Sequence, residues 1–115
     1  MLINARKEFE FALQEYKKRT GKYFPVVCAQ ITFDDYDRKP CLATLEVDYS
    51  AEDFFIFLDT LDFEYDSGFG GQKLFGTVWG MEGKWMERGE YAGSEWWELY
   101  EYPEIPEILH KKEQL

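Results

Sequence analysis

Residues 71–103 read GQKLFGTVWGMEGKWMERGEYAGSEWWELYEYP, and this stretch holds all four tryptophans of the chain: Trp79, Trp85, Trp96 and Trp97. Lys73 to Gly80 is rich in β-branched and aromatic residues. Met81-Glu82-Gly83-Lys84 reads as a turn, Trp85 to Tyr91 as a second run, Ala92-Gly93 as a second turn, and Ser94 to Tyr102 as a third run. Aromatic runs joined by short glycine-bearing turns predict a hairpin extended into a meander. Gly76 and Gly80 share a face with Val78, because strand side chains alternate. Glycine within a strand marks a bulge or a close approach. The expectation is that the missing side chains make room for tryptophan rings of neighbouring strands.

Toward the N-terminus, Asn4 to Thr20 is predicted to be helical, with Asn4 as its cap and Glu8 and Glu10 in the early turns. Ala5, Phe9, Ala12, Leu13 and Tyr16 recur at three- and four-residue spacing and form one apolar stripe. Lys17, Lys18 and Arg19 suit the negative end of the helix dipole, and Gly21 suits the residue just past it. Val26 to Phe33 and Cys41 to Asp48 predict an antiparallel hairpin across the polar loop of residues 34–40. Phe54-Phe55-Ile56-Phe57-Leu58 fits a buried strand or a helix equally by periodicity. Ser50 followed by Asp53 supplies a capping box and decides for a helix from Ala51 to Leu61. Asp62-Phe63-Glu64-Tyr65-Asp66 alternates strictly and reads as a strand, followed by a flexible loop at residues 67–71. The order α-β-β-α-β-β-β-β predicts an α+β domain with two helices on one face of an antiparallel sheet. Its core is expected to use Phe9, Leu13, Val27, Ile31, Leu45, Phe55, Leu58 and Trp79.

With 115 residues, the chain reads as a single domain over 1–115, with an N-terminal helix at 1–21 and a tail at 104–115. Such a length buries roughly 65% of the unfolded surface. Aromatics at 19% exceed what a small core requires, so some are expected at the surface, where Trp and Tyr favour interfaces. The net charge of −10 is uneven. Residues 1–40 carry eight Lys/Arg against six Asp/Glu, and residues 41–115 carry five against seventeen. An acidic body disfavours direct binding of nucleic acid or anionic membranes and favours basic partners; the competing explanation is plain solubility. Cys28 and Cys41 fall on neighbouring predicted strands, yet two cysteines are too few for a stapled secreted scaffold. With no apolar leader and no membrane-length apolar run, a cytoplasmic protein with reduced cysteines is expected.

Familiar site motifs fail on their own chemistry. Asp62-x-Glu64-x-Asp66 begins like a calcium loop, but Ser67 stands where glycine is needed and Lys73 where a bidentate glutamate is needed. The glycines at 68, 70 and 71 match neither phosphate-loop pattern, and acids precede them. The lone histidine, His110, lies in the tail, away from any nucleophile or ligand partner. No metal, no cofactor and no enzymatic activity are expected. What remains is the distribution of acids. Asp62, Glu64 and Asp66 form a row about 6.8 Å apart, near twice the ~3.4 Å rise per nucleotide of one DNA strand. Glu87, Glu90, Glu95, Glu98 and Glu101 form a second acidic region, and Phe69 and Tyr91 stand at loop tips as apolar anchors.

Residues 88–97, RGEYAGSEWW, together with Leu74-Phe75-Gly76-Thr77-Val78-Trp79 and Gly83-Lys84-Trp85, resemble a pattern in small uncharacterised acidic proteins of phages and mobile elements. The resemblance covers residues about 62–106. It implies an accessory protein acting in a bacterial cytoplasm and carries no catalytic residue with it. In that setting the leading expectation is a monomeric or dimeric inhibitor of a basic, nucleic-acid-binding host defence protein, of anti-CRISPR or anti-restriction type. Its carboxylates would compete for the Lys and Arg that hold phosphates. A module that self-associates through its aromatic sheet is the second reading, and a small carboxylate-dependent enzyme the third.

Overall fold

The computed structural model of the chain describes residues 2–35, 41–68 and 71–110. Its helices begin at the capping side chains. Asn4 Oδ1 accepts from the Lys7 N–H at 3.0 Å, and α1 runs Ala5–Thr20. Gly21 ends it with φ +79°, donating to the Lys17 carbonyl at 2.7 Å. Ser50 and Asp53 make both bonds of a capping box, at 3.1 and 3.0 Å, ahead of α2 (Ala51–Thr60). That cap fixes the apolar run 54–58 as helix. Its inward stripe is Phe54, Phe57, Leu58 and Leu61, at the helical period. Phe55, expected in the core, sits off that stripe and is 60% exposed.

The strands are β1 (Leu2–Asn4), β2 (Val26–Phe33), β3 (Cys41–Leu45), β4 (Glu64–Asp66), β5 (Leu74–Gly80), β6 (Lys84–Tyr91) and β7 (Ser94–Glu101). Five form an antiparallel sheet in the order β3-β2-β5-β6-β7, so the predicted hairpin and meander join along β2 and β5. The fold is α+β, as the element order predicts. Two details differ. β1 was not expected, and it pairs with β4 as a separate two-stranded sheet, Leu2 opposite Asp66 and Asn4 opposite Glu64. β3 ends at Leu45 rather than Asp48, and Asp48 takes φ +64° on the way to α2.

One face of the large sheet carries Ala29, Ile31, Phe33, Ala43, Leu45, Leu74, Val78 and Met86, all buried. Both helices pack there. Phe9 of α1 meets Phe57 of α2 and Trp97 of β7 edge-on, with ring centroids 5.6 and 5.8 Å apart. Phe9, Ile31, Leu45 and Leu58 are buried as expected, and Leu13 and Val27 are half-buried. Trp79 is not a core residue. It follows Val78, so strand alternation turns it to the opposite face, where it is 45% exposed.

Gly76 is a close-approach position, but no tryptophan fills the space. A Cβ there would lie 2.5 Å from the Gln30 carbonyl oxygen and 2.8 Å from the Ile31 Cα, both on β2. At Gly80 the neighbouring ring is Phe24. The expected arrangement occurs instead at Gly89, where a Cβ would lie 2.9 Å from the Trp96 indole.

Candidate interaction surface

Strand alternation sorts the second acidic region into two environments. Glu95, Trp97 and Leu99 of β7 turn toward the helices, as do Met86 and Arg88 of β6. Glu95 and Arg88 are therefore buried, with side chains only 1% exposed, and they pair at 2.9 Å. Glu95 also accepts the Lys73 and Leu74 N–H groups at 3.0 Å each. Those amides stand at the start of β5, ahead of its pairing with β6 at Thr77–Trp79. The carboxylate thus stands in for a neighbouring strand. Arg88 Nη2 donates to the Tyr65 hydroxyl at 3.0 Å, and that hydroxyl donates to Glu8 Oε1 at 2.6 Å. Arg88 Nη1 lies 3.0 Å from the same Glu8 oxygen, yet without a well-aligned hydrogen bond, so this contact is chiefly Coulombic. The guanidinium sits 5.1 Å from the Trp97 ring centroid. Burial, and then the Glu8 hydrogen bond, push the Tyr65 phenol well above its ordinary range. This network ties α1, β4, β6 and β7 together. It is structural, and Glu95 is unavailable to a partner.

The other face of the large sheet is covered by no element among the described residues. Three rows cross it. Cys28, Trp79, Trp85 and Tyr100 stand successively opposite one another on β2, β5, β6 and β7. Thr44, Gln30, Thr77, Glu87 and Glu98 form the next row, across all five strands. Leu42, Thr32 and Phe75 begin a third, on the side where Gly89 faces Trp96. Leu42, Phe75, Trp79, Trp96 and Tyr100 are all exposed, and the Trp85 ring stacks on Tyr100 at 5.5 Å with the planes 12° apart. In the middle row Glu87 directly opposes Glu98. Like charges so placed destabilise a sheet. Each accepts an indole N–H from its own strand, Trp85 to Glu87 at 2.9 Å and Trp96 to Glu98 at 2.7 Å. These neutral donors orient the carboxylates without cancelling their charge, and no Lys or Arg pairs with either among the described residues.

No protein-family model, curated protein or solved structure matches this chain.

The sequence-derived residues separate as follows. Glu87 and Glu98 come together on the open face. Tyr91 reaches the tip of the β6–β7 turn, 77% exposed. Glu90 and Glu101 lie toward the helix side by strand alternation, exposed at opposite ends of the hairpin, and Glu90 Oε1 accepts the Gly93 N–H at 2.9 Å within the turn. Asp62, Glu64 and Asp66 are exposed in alternation with Phe63 and Tyr65. They belong to the small sheet or its approach, however, and Asp62 accepts from the Asn4 amide at 2.9 Å. Phe69 lies outside the described residues. An aromatic sheet was expected from the sequence, but Phe75, Trp79, Trp85, Trp96 and Tyr100 were not among the expected binding residues. The signal was present, because Phe75, Trp79, Trp85, Trp96 and Tyr100 all occupy the strand positions opposite Val78, Met86 and Trp97. Among the described residues no His, Cys, Asp and Glu group is arranged to hold a metal, and no helix is long and apolar enough to cross a membrane.

Proposed function

We propose that this protein is an acidic binding module that docks its open aromatic sheet face onto a basic, nucleic-acid-binding protein. The observation that carries the reading is the Glu87–Glu98 pair, two opposed carboxylates set in a field of exposed Trp and Tyr. A partner's Arg or Lys placed between them relieves the repulsion and meets ring faces on either side, the geometry of a cation–π contact. Exposed Trp and Tyr of this kind anchor protein interfaces. The Asp62, Glu64 and Asp66 carboxylates add to the field that steers a basic surface inward. Occupying phosphate-binding Lys and Arg makes the protein an inhibitor, and the phage resemblance suggests a host defence protein as the target. Binding, not catalysis, is the activity.

The test is capture of partners from a bacterial lysate, followed by titration of the captured protein with its nucleic acid as competitor. Mutual exclusion is expected, with Glu87→Gln/Glu98→Gln weakening the complex about tenfold or more. Simultaneous binding of nucleic acid and this protein to the partner would overturn the inhibitory reading. Undiminished binding by the double variant would overturn the assignment of the face. A mass that rises with concentration, by light scattering, would favour self-association through the same face.

A further inference from the structure

On the helix side of the sheet, remote from the aromatic face, a cleft of about 710 Å³ opens between α1, the start of β2 and α2. That is within the range of pockets that take drug-sized ligands. Its floor and walls are Leu13, Phe24, Val26, Tyr49, Phe54 and Leu58. Phe24 and Leu58 are buried, whereas Leu13, Val26, Tyr49 and Phe54 remain half-exposed because the helices do not close over them. The Tyr49 hydroxyl is already used, donating to the Val26 carbonyl at 2.8 Å, so the interior offers apolar surface. The rim is different. Glu10 lies there, but its carboxylate is engaged by Arg6 at 3.1 Å. Lys17 and Lys18 also line the rim, and among the described residues neither meets a carboxylate. Lys17 Nζ is instead held 3.9 Å over the Tyr23 ring. Two ammonium groups without a carboxylate partner thus stand at the mouth of an apolar cleft and give it a positive rim.

We propose that this cleft is a binding site for an amphipathic carboxylate, such as a medium-chain fatty acid. The apolar body lies along Leu13, Phe54 and Leu58, and the carboxylate meets Lys17 and Lys18. Apolar burial supplies most of the affinity, and the lysines select the anionic head. A cationic amphiphile would have the same apolar contacts and the wrong charge at the rim.

Decanoate and decyltrimethylammonium are the probes, titrated against the full chain while methyl resonances are followed by NMR. Decanoate is expected to shift the methyls of Leu13, Val26 and Leu58. Lys17→Glu/Lys18→Glu should weaken it about tenfold, since two exposed ion pairs together approach that factor. Glutamates at the C-terminal end of α1 oppose the helix dipole and Lys17 leaves its place over the Tyr23 ring, so the double variant should melt a few degrees below the parent yet keep the dispersed methyl spectrum of a folded chain. Lys7→Glu, on the first turn of α1 and outside the cleft lining, is the distant charge-reversal control and should leave decanoate binding unchanged. Absence of shifts at those methyls would overturn the proposal. So would equal affinity for the cationic probe, full affinity in the double variant, or an equal loss in the Lys7 control.

Discussion

Arg88 is the residue on which most of the interior polar chemistry converges. It neutralises Glu95 and faces Glu8 while sharing the Tyr65 hydroxyl. Removing one member of a buried ion pair leaves an uncompensated charge, so Arg88→Met should destabilise by about 3–5 kcal/mol, read from the denaturant midpoint. Tyr65 gives the cluster a pH signature. Its folded pKa is raised above the unfolded value near 10. The stability this represents is fully present below pH ~10 and is lost as pH rises from there toward the folded value. Urea midpoints measured from pH 9 to 11 should therefore fall more steeply for the parent than for Tyr65→Phe, even though the variant starts lower for want of its hydrogen bonds. Identical slopes would remove Tyr65 from the alkaline transition. The inward position of Glu95 was legible by parity, since it precedes Trp97 and Leu99 by two and four residues. The abundance of exposed acids around it masks that signal. That Arg88, Tyr65 and Glu8 would meet it was not legible, because the contacts join residues distant in sequence.

Elements fell where local chemistry is strong. Both helix caps and the strands at Val26–Phe33 and in the meander were readable from side chains within a few residues. The two meander turns have positive φ at both central residues, Glu82-Gly83 and Ala92-Gly93. That is the turn whose twist suits a hairpin. Ala92, at φ +52°, lacks the side chain that tolerates this conformation. Ala92→Asn should stabilise by about 1 kcal/mol, whereas Ser50→Ala, which breaks the capping box, should cost about 1 kcal/mol. Equilibrium unfolding of the two variants checks both signs. The strand at Leu2–Asn4 was not readable, because three residues with no alternation carry no periodic signal. It forms only because Glu64–Asp66 returns beside it.

At the scale of the molecule, the chain divides its aromatic residues between two jobs. Phe9, Phe57 and Trp97 build the core, whereas Trp79, Trp85, Trp96 and Tyr100 cover the open face. Substituting the second set should therefore separate folding from binding. Trp79→Ser should shift the denaturation midpoint by less than about 1 kcal/mol, far below the ~3–5 kcal/mol of a buried tryptophan, while reducing partner capture. Glu87→Gln/Glu98→Gln should go further and raise stability by a few tenths of a kcal/mol, because opposed like charges are removed. Higher stability with weaker binding would mark the pair as retained for its partner. The α+β class was legible from the order of elements, and parity within each strand marked its outward residues, but which of them stand beside one another was not. Those rows depend on which strands become neighbours, and β5 sits between β2 and β6 only in the assembled sheet.

The two cysteines fall on opposite sides of that sheet. Cys28 stands opposite Trp79 on the open face, while Cys41 pairs with Phe33 on the core side, its thiol 3.8 Å from the Thr60 carbonyl. The fold has therefore installed its own footprinting pair. Iodoacetamide should modify Cys28 faster than Cys41 in the free protein, and a partner seated on the aromatic rows should slow the first reaction while leaving the second as it was. The ratio of the two alkylation rates, read by mass spectrometry, reports which side of the molecule is covered without altering a single residue.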